Sequence, residues 1–330
     1  LQVALNNQKL LSICIPTYNR DWCLKDLIKV LKEQITGGLE NYVEVIFSDN
    51  CSVDDTRKLL SEYAKENSYV KYYKNEENIG FGRNYLKSAS YASGVFTWIL
   101  GDDDLPADGA VEELIKVIQK RADDDIILFN FTQKDLYMRK SIKNFTALSG
   151  KKFAFKLSDD CELLDYLKDA QYSSILFSYI SSYVFRSSSF SQASVKEKYK
   201  NHPFTHLFYL WAARKNRLNV FYLNKVLLFN RSGNDRISDN LYDIVNVFLS
   251  GVVDLCDEFF LDNKILYNSV ANVSKIFDGA CSKKKILKSS KNLDNTRFSD
   301  LVNKVKKLNY PKIFILKLYL KRFYYHIFSP

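Results

Sequence analysis

The chain has 330 residues, enough for a large apolar core, so we expect one main domain and an accessory segment. Apolar residues make up 46% and charged residues 26%, an ordinary globular composition that excludes wholesale disorder. The net charge of +10 suits nucleic acid, anionic lipid or phosphorylated small molecules, and lysines are concentrated toward the C-terminus.

Cysteine spacing and hydropathy bear on location. The six cysteines are scattered without a C-x-x-C pair, so neither a zinc site nor a disulfide framework is predicted, and reduced thiols indicate a cytosolic protein. No stretch of about 18 uncharged apolar residues occurs, so no membrane-spanning helix is predicted. We expect a cytoplasmic protein, with the inner face of the cell membrane as the alternative.

Strand-like and helix-like segments alternate over the first 131 residues. The predicted strands are 10–15, 43–47, 69–73, 95–100 and 126–131, and the amphipathic segments between them are 24–35, 59–63, 82–92 and 111–118. Parallel neighbours need crossover connections, and helices must bury their apolar faces on the sheet. The alternation therefore predicts an α/β fold with a mostly parallel sheet flanked by helices.

The pattern loosens beyond residue 131. Predicted elements are a helix at 158–168, a strand at 179–185, a helix at 204–215 and strands within 219–230. The polar stretch NRSGNDRIS at 230–238 predicts a boundary, because Gly and short polar residues interrupt regular structure. Helical periodicity follows it. We therefore predict a sheet domain over 1–235 and a basic, amphipathic helical region over 236–330.

Four polar loops follow the first four predicted strands, at residues 16–20, 48–55, 75–84 and 101–104. Ligands of open parallel sheets bind at these strand ends. The fourth loop places Asp102, Asp103 and Asp104 side by side, which is unfavourable unless a cation offsets their repulsion. Hard oxygen ligands suit Mg²⁺ or Mn²⁺ shared with a phosphate. The alternative is a solvated turn that caps the next helix.

The second and third loops add candidate ligand-binding groups. Asp49 can accept hydrogen bonds from a nucleobase while Asn50 holds the loop, or it is a simple loop acid. In NIGFGRN, Gly80 stands near a helix start, Asn78 can fix the turn, and Arg83 either meets a diphosphate or lies on the surface. The third glycine of G-x-G-x-x-G is absent, so a dinucleotide fingerprint is not predicted.

The stretches SICIPTYNR, VIFSDNCSVDDT, NIGFGRNYL and WILGDDDLPADGAVEEL, in this order and spacing, resemble the family 2 glycosyltransferases with the GT-A fold. The resemblance covers roughly residues 10–230. It implies that the first loop borders the nucleotide of the donor, through Pro16, Thr17, Tyr18, Asn19 and Arg20. It also implies that Asp49 reads the base.

For the fourth loop, the resemblance implies contact with the ribose and with a divalent metal, Mn²⁺ or Mg²⁺. Asp103 is the first choice as metal ligand, Asp102 the second, and Asp104 the third. The sequence departs from the family at Gly101, which replaces the leading Asp of the common D-x-D-D pattern. That departure leaves the division of roles among the three aspartates open.

The implied reaction is transfer of a sugar, with inversion, from a nucleotide diphosphate to an acceptor hydroxyl. The family's base is usually a carboxylate of an E-D pair at the head of a helix, yet residues 201–217 contain none. His206 stands near the equivalent place, and His202 lies four residues before it; each is a base or acceptor contact, or else a core or capping residue. The runner-up carboxylates at 159, 160 and 162 also suit the first turn of a helix.

Two segments near the C-terminus have alternative interpretations. The charged residues Arg231, Asp235 and Arg236 form either a flap over the donor or a solvated linker. An apolar helical stripe is predicted near the C-terminus, with basic residues to one side, and it suits either an anionic membrane surface or packing within the protein. The stripe consists of Ile313, Leu316, Leu320, Phe323 and Ile327, and the basic residues are Lys317, Lys321 and Arg322.

The expected partners follow from the resemblance: a nucleotide-sugar donor, with UDP as the default, and a saccharide acceptor, lipid-linked in bacterial surface polysaccharide synthesis. No nucleic acid partner is expected, because acidic clusters repel it. A sugar nucleotidyltransferase is the enzymatic alternative, but PTYNR lacks the glycines such enzymes need after the first strand. A basic membrane or nucleic-acid scaffold is the non-enzymatic alternative, and it leaves the acidic loop unexplained.

Overall fold

The computed structural model describes residues 8–191, 193–234, 240–276, 282–290 and 293–328, with side chains up to residue 322. Within those ranges the chain forms a ten-stranded mixed sheet. The strands are β1 (Leu11–Thr17), β2 (Val43–Asp49), β3 (Val70–Lys74), β4 (Phe96–Ile99), β5 (Leu105–Pro106), β6 (Ile126–Lys134), β7 (Ser141–Phe145), β8 (Ala154–Lys156), β9 (Tyr183–Arg186) and β10 (Asn219–Arg231).

Helices cover both faces of the sheet and make up the C-terminal region. They are α1 (Asp21–Gln34), α2 (Thr56–Glu66), α3 (Phe81–Ser90), α4 (Ala110–Lys120), α5 (Asp160–Lys168), α6 (Ser187–Ser191), α7 (Glu197–Lys200), α8 (Thr205–Ala213), α9 (Leu241–Phe259), α10 (Lys264–Val273), α11 (Lys283–Ser289), α12 (Asn295–Lys307) and α13 (Lys312–Phe328). Short 3₁₀ turns occur at Leu39–Asn41, Ser173–Leu176 and Ile180–Ser182.

The sheet order is β3-β2-β1-β4-β9-β6-β10-β5, with β7 beside β6 and β8 beside β10. The first four strands in this order, β3, β2, β1 and β4, form three parallel pairs, and β6 and β10 are also parallel. Strand β9 is antiparallel to both β4 and β6. The predicted α/β class is confirmed, and parallel pairing holds where the polar loops were predicted to meet. The antiparallel insertion of β9 separates β4 from β6.

Successive side chains of the central strands point to opposite faces of the sheet, and helices cover both faces. Every residue of β1 and β2 is buried, as is typical of parallel strands covered on both faces. Ile13 and Ile15 pack with the apolar faces of α1 and α4, while Cys14, between them, packs on the other side with residues of α3, α8 and α9. The sheet is therefore held rigidly between layers, and its strand ends are fixed platforms for the loops.

The C-terminal helices pack directly on the sheet domain. Leu255 and Cys256 of α9 and Leu266 of α10 belong to the same apolar cluster as the sheet residue Ile46. The opposite side of α9 joins α11, α12 and α13 in a separate cluster. The boundary at 235/236 stays a prediction. In the described ranges, no helix has the length and apolar character needed to cross a membrane.

Candidate active site

Two polar loops meet at the carboxyl ends of β1 and β4, which are parallel neighbours. The hydroxyl of Thr17 donates to Oδ2 of Asp102 at 2.7 Å. The guanidinium of Arg20 lies between two carboxylates, 3.6 Å from Asp102 and 3.7 Å from Asp103. The structure thus joins the first and fourth loops, as their positions at one edge of a parallel sheet predict.

Negative charge exceeds positive charge at this point. Burial, reinforced by the charge of Asp103, raises the pKa of Asp102 to about 7, although Arg20 and the Thr17 hydroxyl pull it down. Burial also raises the pKa of Asp103, against the opposing effect of Arg20. The nearby guanidinium groups, Arg20 first among them, do not return either pKa to its usual value, so a further cation would stabilise the ionised forms.

The third aspartate is engaged by the protein itself. Tyr179 and Ser181 donate hydroxyl hydrogen bonds to Oδ2 of Asp104, at 2.7 and 2.6 Å, and Asn230 donates to Oδ1 at 3.1 Å. Burial and the neighbouring Asp103 raise the pKa of Asp104 to about 7. Asp104 therefore ties the loop to the 3₁₀ turn before β9 and to β10, and its geometry gives no support to the expected role as third metal ligand.

The same hydrogen bonds explain one difference from the predicted elements. The sequence predicted a strand over 179–185, but Ile180–Ser182 forms a 3₁₀ turn and β9 begins at Tyr183. The hydroxyl of Ser181 reaches Asp104, and that of Ser182 donates to the carbonyl of Tyr179. Side-chain bonds of serine compete with the strand ladder, so the chain turns before pairing.

Gly101 leaves room for this arrangement. A Cβ atom at this position would lie 2.9 Å from Oδ2 of Asp104 and 3.2 Å from Oδ1 of Asp103. Its amide also donates to the hydroxyl of Ser181. The departure from the D-x-D-D pattern thus has a steric reason, because a side chain at 101 would displace the anchored carboxylate of Asp104.

The second loop is built around a buried acid. Asp49 is fully buried; its Oδ1 accepts the amide of Ser52 at 2.8 Å and its Oδ2 accepts the hydroxyl of Tyr72 at 2.9 Å. The side chain of Asn19, a residue with φ of 52°, accepts the amide of Val53 and so joins the first loop to the second. Asp49 shapes the loop, and its expected contact with a nucleobase stays a prediction.

An asparagine network fixes the third loop. Asn50 donates to Oδ1 of Asn78 at 2.7 Å, and that oxygen also accepts the amide of Gly80. Asn75 donates to both Asn50 and Asn84, at 3.1 and 3.0 Å. Sequence reasoning missed Asn75 and Asn84, although the density of asparagine between 75 and 84 was a usable signal. The network holds the second and third loops together.

The start of α3 contacts the loop before α8. A Cβ atom on Gly82 would lie 3.0 Å from the carbonyl oxygen of His202, so the glycine permits close backbone packing. Arg83 is exposed and donates from Nε to Oδ1 of Asn201 at 2.5 Å. This hydrogen bond uses Nε alone, so the expected contact of Arg83 with a diphosphate stays a prediction.

The two histidines differ in their surroundings, and both ring nitrogens of His206 are buried without a hydrogen-bond partner among the described residues. His206 is only 2% exposed, its ring lies 5.5 Å from that of Tyr85, and burial lowers its pKa to about 3. His202 accepts the amide of Phe204 at Nδ1, 2.9 Å away, while Nε2 lies 3.6 Å from Asp254. Their role as base stays a prediction that requires rearrangement when the acceptor binds.

The runner-up carboxylates form the start of a helix. Asp159 accepts the amides of Cys161 and Glu162, both at 2.9 Å, and so caps α5. Asp160 pairs with Arg214, and Glu162 pairs with Lys152. These contacts favour the helix-capping interpretation of the acidic segment.

The segment after β10 contacts the aspartates. Arg231, whose side chain is buried, donates from Nε to the carbonyl of Asp103 at 3.0 Å and from Nη2 to Asp26 at 2.9 Å. Asn234, which sequence reasoning missed, donates to Oδ2 of Asp103 at 3.0 Å. The other two residues of the predicted flap or linker, at 235 and 236, lie outside the described residues.

Solved structures with this fold define the class. The chain superposes on Staphylococcus aureus TarS 1–349 with a TM-score of 0.64, covering 96% of this chain and 91% of that one at 16% identity. It also superposes on the mannosyltransferase PcManGT from Pyrobaculum calidifontis, in complex with GDP-Man and Mn²⁺, with a TM-score of 0.55 over 97% and 88% of the chains at 10% identity. The fold is that of the GT-A glycosyltransferases.

Sequence comparison gives the family. Residues 12–172 match the profile of glycosyl transferase family 2, and the chain is a glycosyltransferase. The abequosyltransferase RfbV of Salmonella typhimurium is 26% identical over 273 residues, 80% of this chain and 79% of that protein. The GalNAc(5)-diNAcBac-PP-undecaprenol beta-1,3-glucosyltransferase of Campylobacter jejuni is 34% identical over 107 residues, 32% and 33% of the two chains. The predicted family is confirmed.

Proposed function

We propose that this glycosyltransferase moves a sugar from a nucleotide diphosphate to a saccharide hydroxyl, with inversion and with the help of a divalent cation. The supporting observation is the pair Asp102 and Asp103, two partly buried carboxyls at the carboxyl ends of β1 and β4 whose pKa stays raised although Arg20 lies beside both. A site whose carboxyls keep a raised pKa before its ligands arrive is suited to a cation together with a diphosphate.

Asp102 and Asp103 are the ligands available for the expected metal. Among the described residues, no group of three or more His, Cys, Asp or Glu side chains is arranged to hold a metal ion. Mg²⁺ in nucleotide enzymes needs only one or two carboxylates, since phosphates and water complete its shell, and Asp102 and Asp103 meet that requirement. Bound there, Mn²⁺ or Mg²⁺ would supply Lewis-acid stabilisation of the leaving diphosphate.

Arg20 would position the diphosphate beside those carboxylates. The residue is only 8% exposed, and in the described part of the chain its Nη1 has no hydrogen-bond partner. A buried donor without a partner is unfavourable, so an incoming phosphate oxygen would satisfy it. The adjoining loop with Pro16, Thr17, Tyr18 and Asn19 would border the nucleotide.

UDP is the proposed nucleotide. The TarS fold neighbour has been solved in complex with UDP-GlcNAc, whereas the complex of PcManGT contains GDP-Man, so both nucleotides belong in a test. Asp49, Asn50, Asn78 and Gly80 lie in the two loops that the asparagine network joins, and we assign them to the donor nucleotide side of the site.

The proposed acceptor is a lipid-linked saccharide at the cytoplasmic face of the membrane. The lipid-linked acceptor is supported by the Campylobacter relative, whose name includes PP-undecaprenol. The transfer of a sugar is supported by RfbV, which is named an abequosyltransferase. Inversion follows from a single displacement in which His206 or His202 takes the acceptor proton. Since both imidazoles are engaged or buried, acceptor binding would have to free one of them.

A donor panel tests the proposal. UDP-, GDP-, CDP- and dTDP-sugars are incubated with Mn²⁺ or EDTA, product is followed with a polyprenyl-diphosphate saccharide, and its anomeric configuration is read by NMR. We expect metal-dependent turnover that Asp103→Ala lowers by about a hundredfold or more, while Asp108→Ala, an exposed acid of the same segment, retains it. Equal turnover in EDTA, or a fully active Asp103→Ala variant, would remove the metal role.

A further inference from the structure

Helix α13 buries one face and exposes the opposite one. Phe314 and Leu318, four residues apart, are buried in the cluster that α13 forms with α9, α11 and α12. The exposed apolar set, termed the α13 stripe, is Ile313 (64% exposed), Leu316 (51%), Tyr319 (48%) and Leu320 (57%). Spacings of three and four residues place these side chains on one side of the helix, away from the buried pair.

The net positive charge of the chain lies in the same region as the stripe. Residues 282–322 contain thirteen lysines and arginines against two aspartates, a net charge of +11 in a chain whose total is +10. The remaining sequence is therefore close to neutral. On α13 itself, Lys312 and Lys317 are exposed beside the stripe. Charge and apolar surface thus coincide in one region.

Two basic residues predicted to flank the stripe have other contacts. Lys321 donates to the carbonyl of Leu287 at 2.8 Å, and Arg322 donates to Oδ1 of Asn295 at 2.6 Å. They tie α13 to the preceding helices and hold the stripe in a fixed orientation. The side chains at 323 and 327, which the sequence also assigned to the stripe, lie outside the described residues.

We propose that the α13 stripe docks the enzyme on an anionic lipid bilayer. An interfacial helix needs an apolar face that enters the acyl boundary and basic side chains that meet anionic headgroups, and this surface offers both. A second copy would bring two surfaces of like charge together, which opposes association. A nucleic acid would engage the lysines but leave the leucine and isoleucine side chains in water.

Vesicle sedimentation tests the inference with the full chain. Binding is measured to vesicles of phosphatidylcholine alone and of phosphatidylcholine with phosphatidylglycerol at 3:1, each in low and high salt. We expect binding to the anionic vesicles that weakens by about tenfold in high salt, since the lysines act through a screened potential. The double variant Leu316→Glu/Leu320→Glu should bind at least about tenfold more weakly. Ile265→Glu on α10, a site that is 67% exposed, is the matched control and should bind as the wild type does.

Several results would overturn the inference. Equal binding to neutral and anionic vesicles would remove the charge argument, and an unchanged double variant with an unchanged melting temperature would remove the stripe. Light scattering that shows a dimer dispersed by the double variant would assign the stripe to a second copy. Binding to a 20-mer RNA that exceeds binding to vesicles would assign the surface to nucleic acid. The assay involves no donor turnover, so its failure leaves the proposed reaction standing.

Discussion

Replacing Asp102 by Asn should stabilise the ligand-free enzyme while it removes activity. The carboxylate is largely buried, and its pKa of about 7 against an ordinary value of 3.8 means that its ionised form is unfavourable in the folded chain. Three pKa units correspond to about 4 kcal/mol at pH 8, an upper bound because Asp102 and Asp103 titrate together. Half of this, about 2 kcal/mol, would raise the melting temperature by about 3 °C in a chain of this size.

The decisive test is how the stabilisation by Asp102→Asn depends on pH. A carboxyl whose pKa is raised by folding makes the folded state bind more protons than the unfolded state between about pH 4 and 7, so wild-type stability falls as pH rises through that window. An asparagine does not titrate. The stabilisation by Asp102→Asn should therefore be complete at pH 8, about half as large at pH 5.5 and absent below about pH 4.

Thermal melts without metal or nucleotide, at pH 8 and pH 5.5, measure the effect. Asp108→Asn, at an exposed position four residues after Asp104, controls for a general loss of negative charge. Addition of Mn²⁺ and UDP should stabilise the wild type and leave Asp102→Asn nearly unchanged. A variant that melts at or below the wild-type temperature at pH 8, or a gain independent of pH, would refute the argument that Asp102 bears uncompensated charge.

Three further substitutions probe the surrounding geometry. Gly101→Ala forces a Cβ atom against the anchored carboxylate of Asp104, so we expect a loss of about 1–3 kcal/mol in unfolding free energy and weaker binding in a UDP titration; an unchanged melt would contradict the steric argument. Ser181→Ala removes one donor to Asp104 and the acceptor of an amide, and should cost about 1–3 kcal/mol, measured by urea unfolding, unless the site rearranges without loss. Because His206 is the more deeply buried of the two candidate bases, His206→Gln should keep turnover within about threefold, which would leave His202 as the base; a loss above about a hundredfold with an unchanged melt and an altered pH–rate profile would assign the role to His206.

Sequence periodicity located the strand ends that carry the site, because the residues that favour these strands are also the residues that the folded protein buries there. The central strands are buried on both faces and read as continuous apolar runs, so their ends, and the polar loops that follow them, could be placed without coordinates. The meeting of Thr17 and Arg20 with Asp102 follows from the parallel pairing of β1 and β4. These contacts are consequences of topology.

Roles that depend on non-local side-chain bonds could not be derived from the sequence. Asp104 is adjacent to Asp103 in sequence and of the same type, yet hydrogen bonds from Tyr179, Ser181 and Asn230 separate their roles. The donors come from residues 75 to 126 positions away, and no local pattern encodes those distances. The burial of His206 is similar, since its surroundings come from several separate segments.

The hydrogen bonds to Asp104 limit where the chain can be cut into separately folding parts. The segment that carries the family signature ends at residue 172, before Tyr179, Ser181 and Asn230. Expressed alone, that segment would lack all three donors to Asp104, and hydrogen bonds to a charged group typically contribute about 1.5–3 kcal/mol each. Chimeras that exchange specificity among relatives should therefore be joined after Arg231. A junction at residue 172 would combine the aspartate loop of one parent with the hydrogen-bond donors of the other.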